Sequence, residues 1–131
     1  MLPDLQRLQH IRDYCNAIEN TIKRYGASYE VFQKDGDYQR SIAFSILQIG
    51  ELSSGLSTEF RQSSAKRIQW GPIKGMRNWV AHNYGNISFD VMWETAISDI
   101  PVLKEFCEEQ LEKRPELDSR SHMLDDWEME F

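Results

Sequence analysis

The sequence predicts an all-α fold: an up-down bundle of four main helices with short accessory helices and a C-terminal tail outside it. Two observations carry this. Apolar residues recur at three- and four-residue intervals over several long segments, the period of one helix face. No segment of useful length alternates apolar with polar residues as a half-buried strand does. Capping residues and turn pairs divide the periodic segments from one another.

Residues 3–25 read as the first helix, with Leu8, Ile11, Cys15, Ile18 and Ile22 on its apolar side. Pro3 sits in the first turn, where a missing N–H costs nothing. Gly26 is placed to end the helix in a left-handed conformation. His10 reads as an ordinary surface or boundary residue. Ser28 caps a short turn over 29–34, whose Tyr29 and Phe32 lid the core. Asp35-Gly36-Asp37 is a turn signal, and Asp37 is the expected N-cap of a helix over 38–55. Ile42, Ile46, Ile49 and Leu52 form its stripe, while Ala43, Ser45, Gly50 and Ser53 are small enough for close helix approach. Glycine costs a helix about 1 kcal/mol against alanine, so Gly50 needs a reason. Close packing beside the helix over 72–82 supplies one.

Ser57 caps a short helix over 58–66, anchored by Phe60. Gly71-Pro72 opens the helix over 72–82 with proline at its first position. Ile73, Met76, Val80 and Trp79 face the core, and Trp79 is also a candidate contact with a second subunit. Asn86 or Ser88 caps the last helix, which runs to about 111 along Phe89, Trp93, Ala96, Ile100, Leu103 and Cys107. Pro101 removes one backbone bond inside it and is expected to kink it near Ile97. The bundle therefore occupies 1–112. Residues 113–131 lose the periodicity and read as a mobile acidic tail, dispensable for folding. Leu124, Trp127, Met129 and Phe131 among its acids are a candidate partner-binding helix, with a tail of no role as the plain alternative.

The composition, 40% hydrophobic and 11% aromatic, is that of a folded domain. No apolar run reaches a membrane span and no signal-peptide order opens the chain, so the cytoplasm is the expected location. Cys15 and Cys107 read as buried free thiols, with a disulfide between terminal helices left open. His10, His82 and His122 are scattered without zinc-site spacing, so neither metal nor cofactor is expected. The net charge of −6 argues against broad nucleic-acid binding. Residues 112–131 carry −4 of it, however, and Arg61, Lys66, Arg67, Lys74 and Arg77 lie near one another in sequence as a candidate basic site. The alternative for these is a solvated surface.

Chemistry concentrates in Gly75-Met76-Arg77-Asn78-Trp79-Val80-Ala81-His82-Asn83-Tyr84-Gly85. Arg77 offers a permanent cation in a planar fork suited to phosphate. His82 can exchange protons near neutrality, and Tyr84 carries a hydroxyl open to modification. Five residues at about 100° each put Arg77 and His82 roughly 140° apart on an ideal helix, so they do not share a face. Convergence needs a helix end near Asn83 or a second subunit. Glu51 reads as a solvated helix residue, with Arg77 as its alternative partner.

The pattern Arg-x-x-x-x-His-x-Tyr at Arg77, His82 and Tyr84 resembles the signature of HepT-type HEPN-domain toxins. Gln48-Ile49-Gly50-Glu51 is similar to that family's Ile-Gly-Glu segment, and residues 70–78 resemble its Trp-x-x-Ile-x-Gly-Met-Arg-Asn approach. The resemblance spans residues 3–111. It implies a HEPN bundle and a dimer that brings two motifs together. It also implies a minimal nucleotidyltransferase antitoxin of the MntA type, with a higher hetero-oligomer open, that transfers AMP to Tyr84.

The leading reading is a metal-independent endoribonuclease, the toxin of a toxin–antitoxin pair, with Arg77 and His82 catalytic. Such an enzyme can use the RNA 2′-hydroxyl as nucleophile. His82 serves proton transfer and Arg77 the charge on the phosphorane. Asn83 either positions phosphate or caps the helix, and Asn78 and Glu51 are supporting residues. Two readings compete: a non-catalytic HEPN subunit that binds a nucleotidyltransferase and helps present its nucleotide or substrate, and a helical dimerisation module whose Arg77 forms an interface salt bridge.

Overall fold

The computed structural model describes residues 3–113, which form helices joined by short turns, with no strand among them. The helices are α1 (Asp4–Tyr25), α2 (Tyr29–Lys34), α3 (Gly36–Ser54), α4 (Thr58–Ser64), α5 (Trp70–Asn83), α6 (Phe89–Glu94) and α7 (Ile100–Glu112). A π-helical turn over Thr95–Asp99 joins the last two into one element. The four main helices are thus α1, α3, α5 and α6–α7. The expectations for the tail fall almost wholly on residues 114–131, outside the described residues.

Local rules account for most boundaries. Gly26 ends α1 at φ 110° and ψ 139°, a glycine-only region rather than the left-handed helical one expected. Its carbonyl accepts the Tyr38 hydroxyl at 2.9 Å. Ser28, Ser57 and Ser88 cap α2, α4 and α6 through their hydroxyls. The cap of α3 is Asp35 rather than Asp37. Its carboxylate accepts from the amides of Asp37 and Tyr38, and Asp37 pairs with Arg40 instead. α5 starts at Trp70, so Pro72 is its third residue. There its missing N–H still costs no helical bond. Near Ile97, where the sequence predicts a kink, the helix carries the π turn. Without a proline N–H the α-helical bond to residue 97 cannot form, and the Ile100 amide reaches back to the Thr95 carbonyl.

α1 packs between α3 and α7, and α3 packs between α1 and α5. The core runs through Leu8, Ile11, Ile18, Ile42, Ile49 and Leu103. An aromatic cluster closes one end: the Phe32 ring lies 5.1 Å from Tyr38, 6.0 Å from Phe89 and 5.2 Å from Trp93. The other end is closed by Phe60 and Trp70 about Phe106, with the Trp70 indole donating to Ser64 at 2.9 Å. His10 is buried, rather than at the surface or boundary that its sequence position suggests. A helix packed on two sides buries a wider arc than its apolar stripe, and Gln9 and His10 fall within it.

Cys15 and Cys107 are free and buried, which settles the open disulfide. Burial is the main cause that pushes both thiols up, Cys107 to about 12. Below the ordinary thiol pKa both states keep their protons. Above it the unfolded chain releases protons that the native state retains, so stability falls as pH rises beyond about 9. Melting curves from pH 8 to 11 should show a shallower decline for the double variant Cys15→Ala/Cys107→Ala than for the natural chain.

Candidate active site

The site begins where α3 and α5 cross. A Cβ placed on Gly50 would lie 2.2 Å from Cβ of Arg77 and 2.7 Å from its Cγ. Only hydrogen fits there, which is the reason for a glycine in mid-helix. The crossing also fixes where the arginine stem leaves the bundle.

From that point the guanidinium is held at both ends. Arg77 donates through Nε and a terminal nitrogen to one oxygen of Glu51, both at 2.6 Å. Its other terminal nitrogen donates to Asn78 Oδ1 at 2.6 Å. Glu51 is therefore the partner of Arg77 and not merely a solvated residue. The side chain of Arg77 is 27% exposed and that of Glu51 48%, so the pair orients the cation more than it stabilises the fold. Held by Glu51 on one edge and by Asn78 on the other, the fork still keeps N–H groups for an anion.

His82 lies in the last turn of α5 and is exposed. Its imidazole makes no hydrogen bond among the described residues. Both it and Arg77 are within the helix, so the roughly 140° separation of the ideal geometry holds and one chain does not bring them together. α5 ends at Asn83, φ −149° and ψ 40°, and a 3-10 turn over Tyr84–Asn86 follows. The end expected here is present, but no left-handed glycine makes it, since Gly26 alone has positive φ among the described residues. Asn83 is engaged as an acceptor from the Asn86 amide at 2.9 Å. Tyr84 is half-buried, its ring packed against the core.

The proposed basic cluster is partly neutralised. Arg67 pairs with Glu109, lies 5.3 Å from the Phe106 ring centre, and holds Glu109 below the usual carboxylate range. Lys66 and Lys74 are exposed. An apolar groove of about 700 Å³ lies among α3, α5 and the last helix, lined in part by Ile46, Ile73, Met76, Trp79, Val91 and Val102, with Arg67 also against it. Among the described residues no three His, Cys, Asp or Glu side chains group closely enough to hold a metal, and no helix is long and apolar enough to cross a membrane.

Fold and site together define a HEPN-type helical bundle carrying an Arg-x-x-x-x-His-x-Tyr motif. Residues 7–110 match the family model described as "Ribonuclease HepT-like", and the chain belongs to that family. "Putative RNase TTE0752" of Caldanaerobacter subterraneus subsp. tengcongensis is 35% identical over 106 residues, 81% of this chain and 92% of the relative. "Probable ribonuclease HepT" of Thermococcus cleftensis is 29% identical over 97 residues, 72% of this chain and 86% of the relative. No solved structure matches the chain.

Proposed function

We propose that this protein is a metal-independent endoribonuclease, the toxin of a toxin–antitoxin pair, acting as a dimer. The observation that carries the reading is the Arg77 fork, pinned by Glu51 and Asn78 at the Gly50 crossing, with an exposed His82 further along the same helix. In the reaction, His82 of one copy takes the proton of the RNA 2′-hydroxyl. O2′ bonds to phosphorus and the bond to O5′ breaks. His82 of the second copy gives a proton to O5′, leaving a cyclic phosphate and a 5′-hydroxyl. Arg77 meets the charge that builds on the phosphorane.

The second copy supplies what one helix cannot. The small-residue face at Gly50 is filled by the chain's own α5 and is not available to it. The Trp79 side remains, where Trp79, Val91 and Val102 line the apolar groove. Sedimentation at micromolar concentration should show a dimer. Purified protein with RNA and a chelator should yield 5′-hydroxyl ends; intact RNA, with or without added Mg²⁺, overturns the reading. The Glu51 carboxylate, which already neutralises Arg77, favours the alternative of a non-catalytic subunit that presents a nucleotidyltransferase's nucleotide, and the same assay separates the two.

Control is assigned to Tyr84. A partner nucleotidyltransferase transfers AMP to its hydroxyl, bringing negative charge two residues from His82 and beside Arg77. Tyr84→Phe keeps the ring that packs on the core and removes the acceptor. Incubated with partner and ATP, the variant should gain no adenylate mass and continue to cut RNA, while the natural chain gains the mass and stops. Equal gain by both proteins would assign the acceptor elsewhere.

A further inference from the structure

Phe44 is an exception to the packing of α3. It is 55% exposed, on a helix whose other apolar side chains are buried or half-buried. Burial does not account for it, and phenylalanine is a mediocre residue for a helix surface. Its position is informative. Phe44 and Glu51 are seven residues apart, so they sit roughly 20° apart around the helix and about 10.5 Å apart along it. The aromatic ring and the carboxylate that pins Arg77 therefore share one face.

The topology brings the end of α5 to the same level. α5 starts beside α4, at the C-terminal end of α3, where Trp70 meets Ser64 and Phe106. The segment after it reaches the N-terminal end of α3, where Phe89 meets Phe32. The two helices are thus antiparallel, and Gly50 lies against Arg77. Six residues back from Gly50 is Phe44, and six residues on from Arg77 is Asn83, next to His82. Phe44 stands level with the histidine end of the motif and on the face of the arginine end. From the α1 side, Tyr14 meets its ring near edge-on, centres 6.3 Å apart and planes at 68°.

We propose that Phe44 is a stacking platform for one nucleobase of the RNA, one or two nucleotides from the phosphate that Arg77 contacts. Unstacked single strands are bound in this way, because every base has a π-face and stacking demands little of its identity. Of the side chains next to Phe44 on this face, Arg40, Gln48 and Glu51 are polar, and the apolar Leu47 is half-buried. An exposed ring braced on one side by Tyr14 and otherwise flanked by polar groups suits a base better than a broad protein contact, whereas Val91 and Val102 line the groove between α5 and the last helix.

The inference rests on the ribonuclease reading, and its test separates the two. The probe is an RNA oligonucleotide with a 2′-deoxy sugar at the cleavage position, so that binding is read without cutting. Phe44→Ala should weaken binding by about tenfold and Phe44→Trp should restore it. Replacing one base of the probe by an abasic sugar should weaken the natural chain by a similar factor at one position only, and should not weaken Phe44→Ala further there. If the natural chain binds and Phe44→Ala binds equally well, the platform is wrong and the ribonuclease reading stands. If Phe44→Leu restores binding as well as tryptophan, or Phe44→Ala sediments as a monomer, the residue packs against protein and the platform is again wrong. A natural chain that neither cuts the all-ribose RNA nor binds the probe overturns both.

Discussion

His82→Ala is expected to lower RNA cleavage by about 10²–10⁴-fold while leaving RNA binding nearly unchanged. The separation follows from the position of the residue. The His82 imidazole is exposed and makes no hydrogen bond among the described residues, so its removal leaves no unpaired group and should change stability by less than about 0.5 kcal/mol. A loss of rate with an unchanged melting temperature then reports chemistry. Arg77→Lys should be impaired as well, since an ammonium cannot reproduce a planar fork held by Glu51 on one edge and Asn78 on the other. A mixing experiment tests the composite site. If acid and base come from two copies, activity falls as the square of the wild-type fraction. Equal amounts of natural chain and His82→Ala, exchanged into mixed dimers, should keep about a quarter of the activity per dimer. A linear decline to one half would show that each copy works alone. Loss of RNA binding in His82→Ala would make the histidine a binding group.

Helix caps, the aromatic lid and the glycine in mid-helix were legible because each rests on chemistry within a few residues. Gly50 is the clearest case: a costly residue in an α-helix requires a close neighbour, and the neighbour is Arg77 itself. Choosing between Asp35 and Asp37 needed more than the type of residue, since both are good caps and two residues separate them. The choice fell to the carboxylate that reaches two amides at once. His10 was misplaced because one periodic stripe describes a helix with one buried side, and α1 has two. The partner of Arg77 could not be read from spacing, because Glu51 comes from another helix, 26 residues away. The exposure of Phe44 has a signal in the sequence: the residue falls roughly 160° from Ile46 and Ile42, on the far side of the stripe of α3.

Gly50→Ala should be strongly destabilising. The added Cβ would meet Cβ of Arg77 at 2.2 Å, Cγ at 2.7 Å and the Arg77 Cα at 3.4 Å. These are the root of a side chain and its backbone, not the free end of a flexible one, so α3 and α5 must move apart. Overpacking of this kind costs about 1–3 kcal/mol, and the helix propensity of alanine returns at most about 1. The net loss should lower the melting temperature by roughly 5–10 °C. Gly75→Ala is the control, because Gly75 is also inside a helix and a Cβ there meets nothing within 4 Å. It should gain about 0.5–1 kcal/mol and melt a few degrees higher. Gly50→Ala shifts the stem of Arg77 away from Glu51, so cleavage measured well below its melting point should still be depressed. Stabilisation of both variants alike would mean that α3 and α5 do not cross this closely, and the Arg77 fork would lose its anchor.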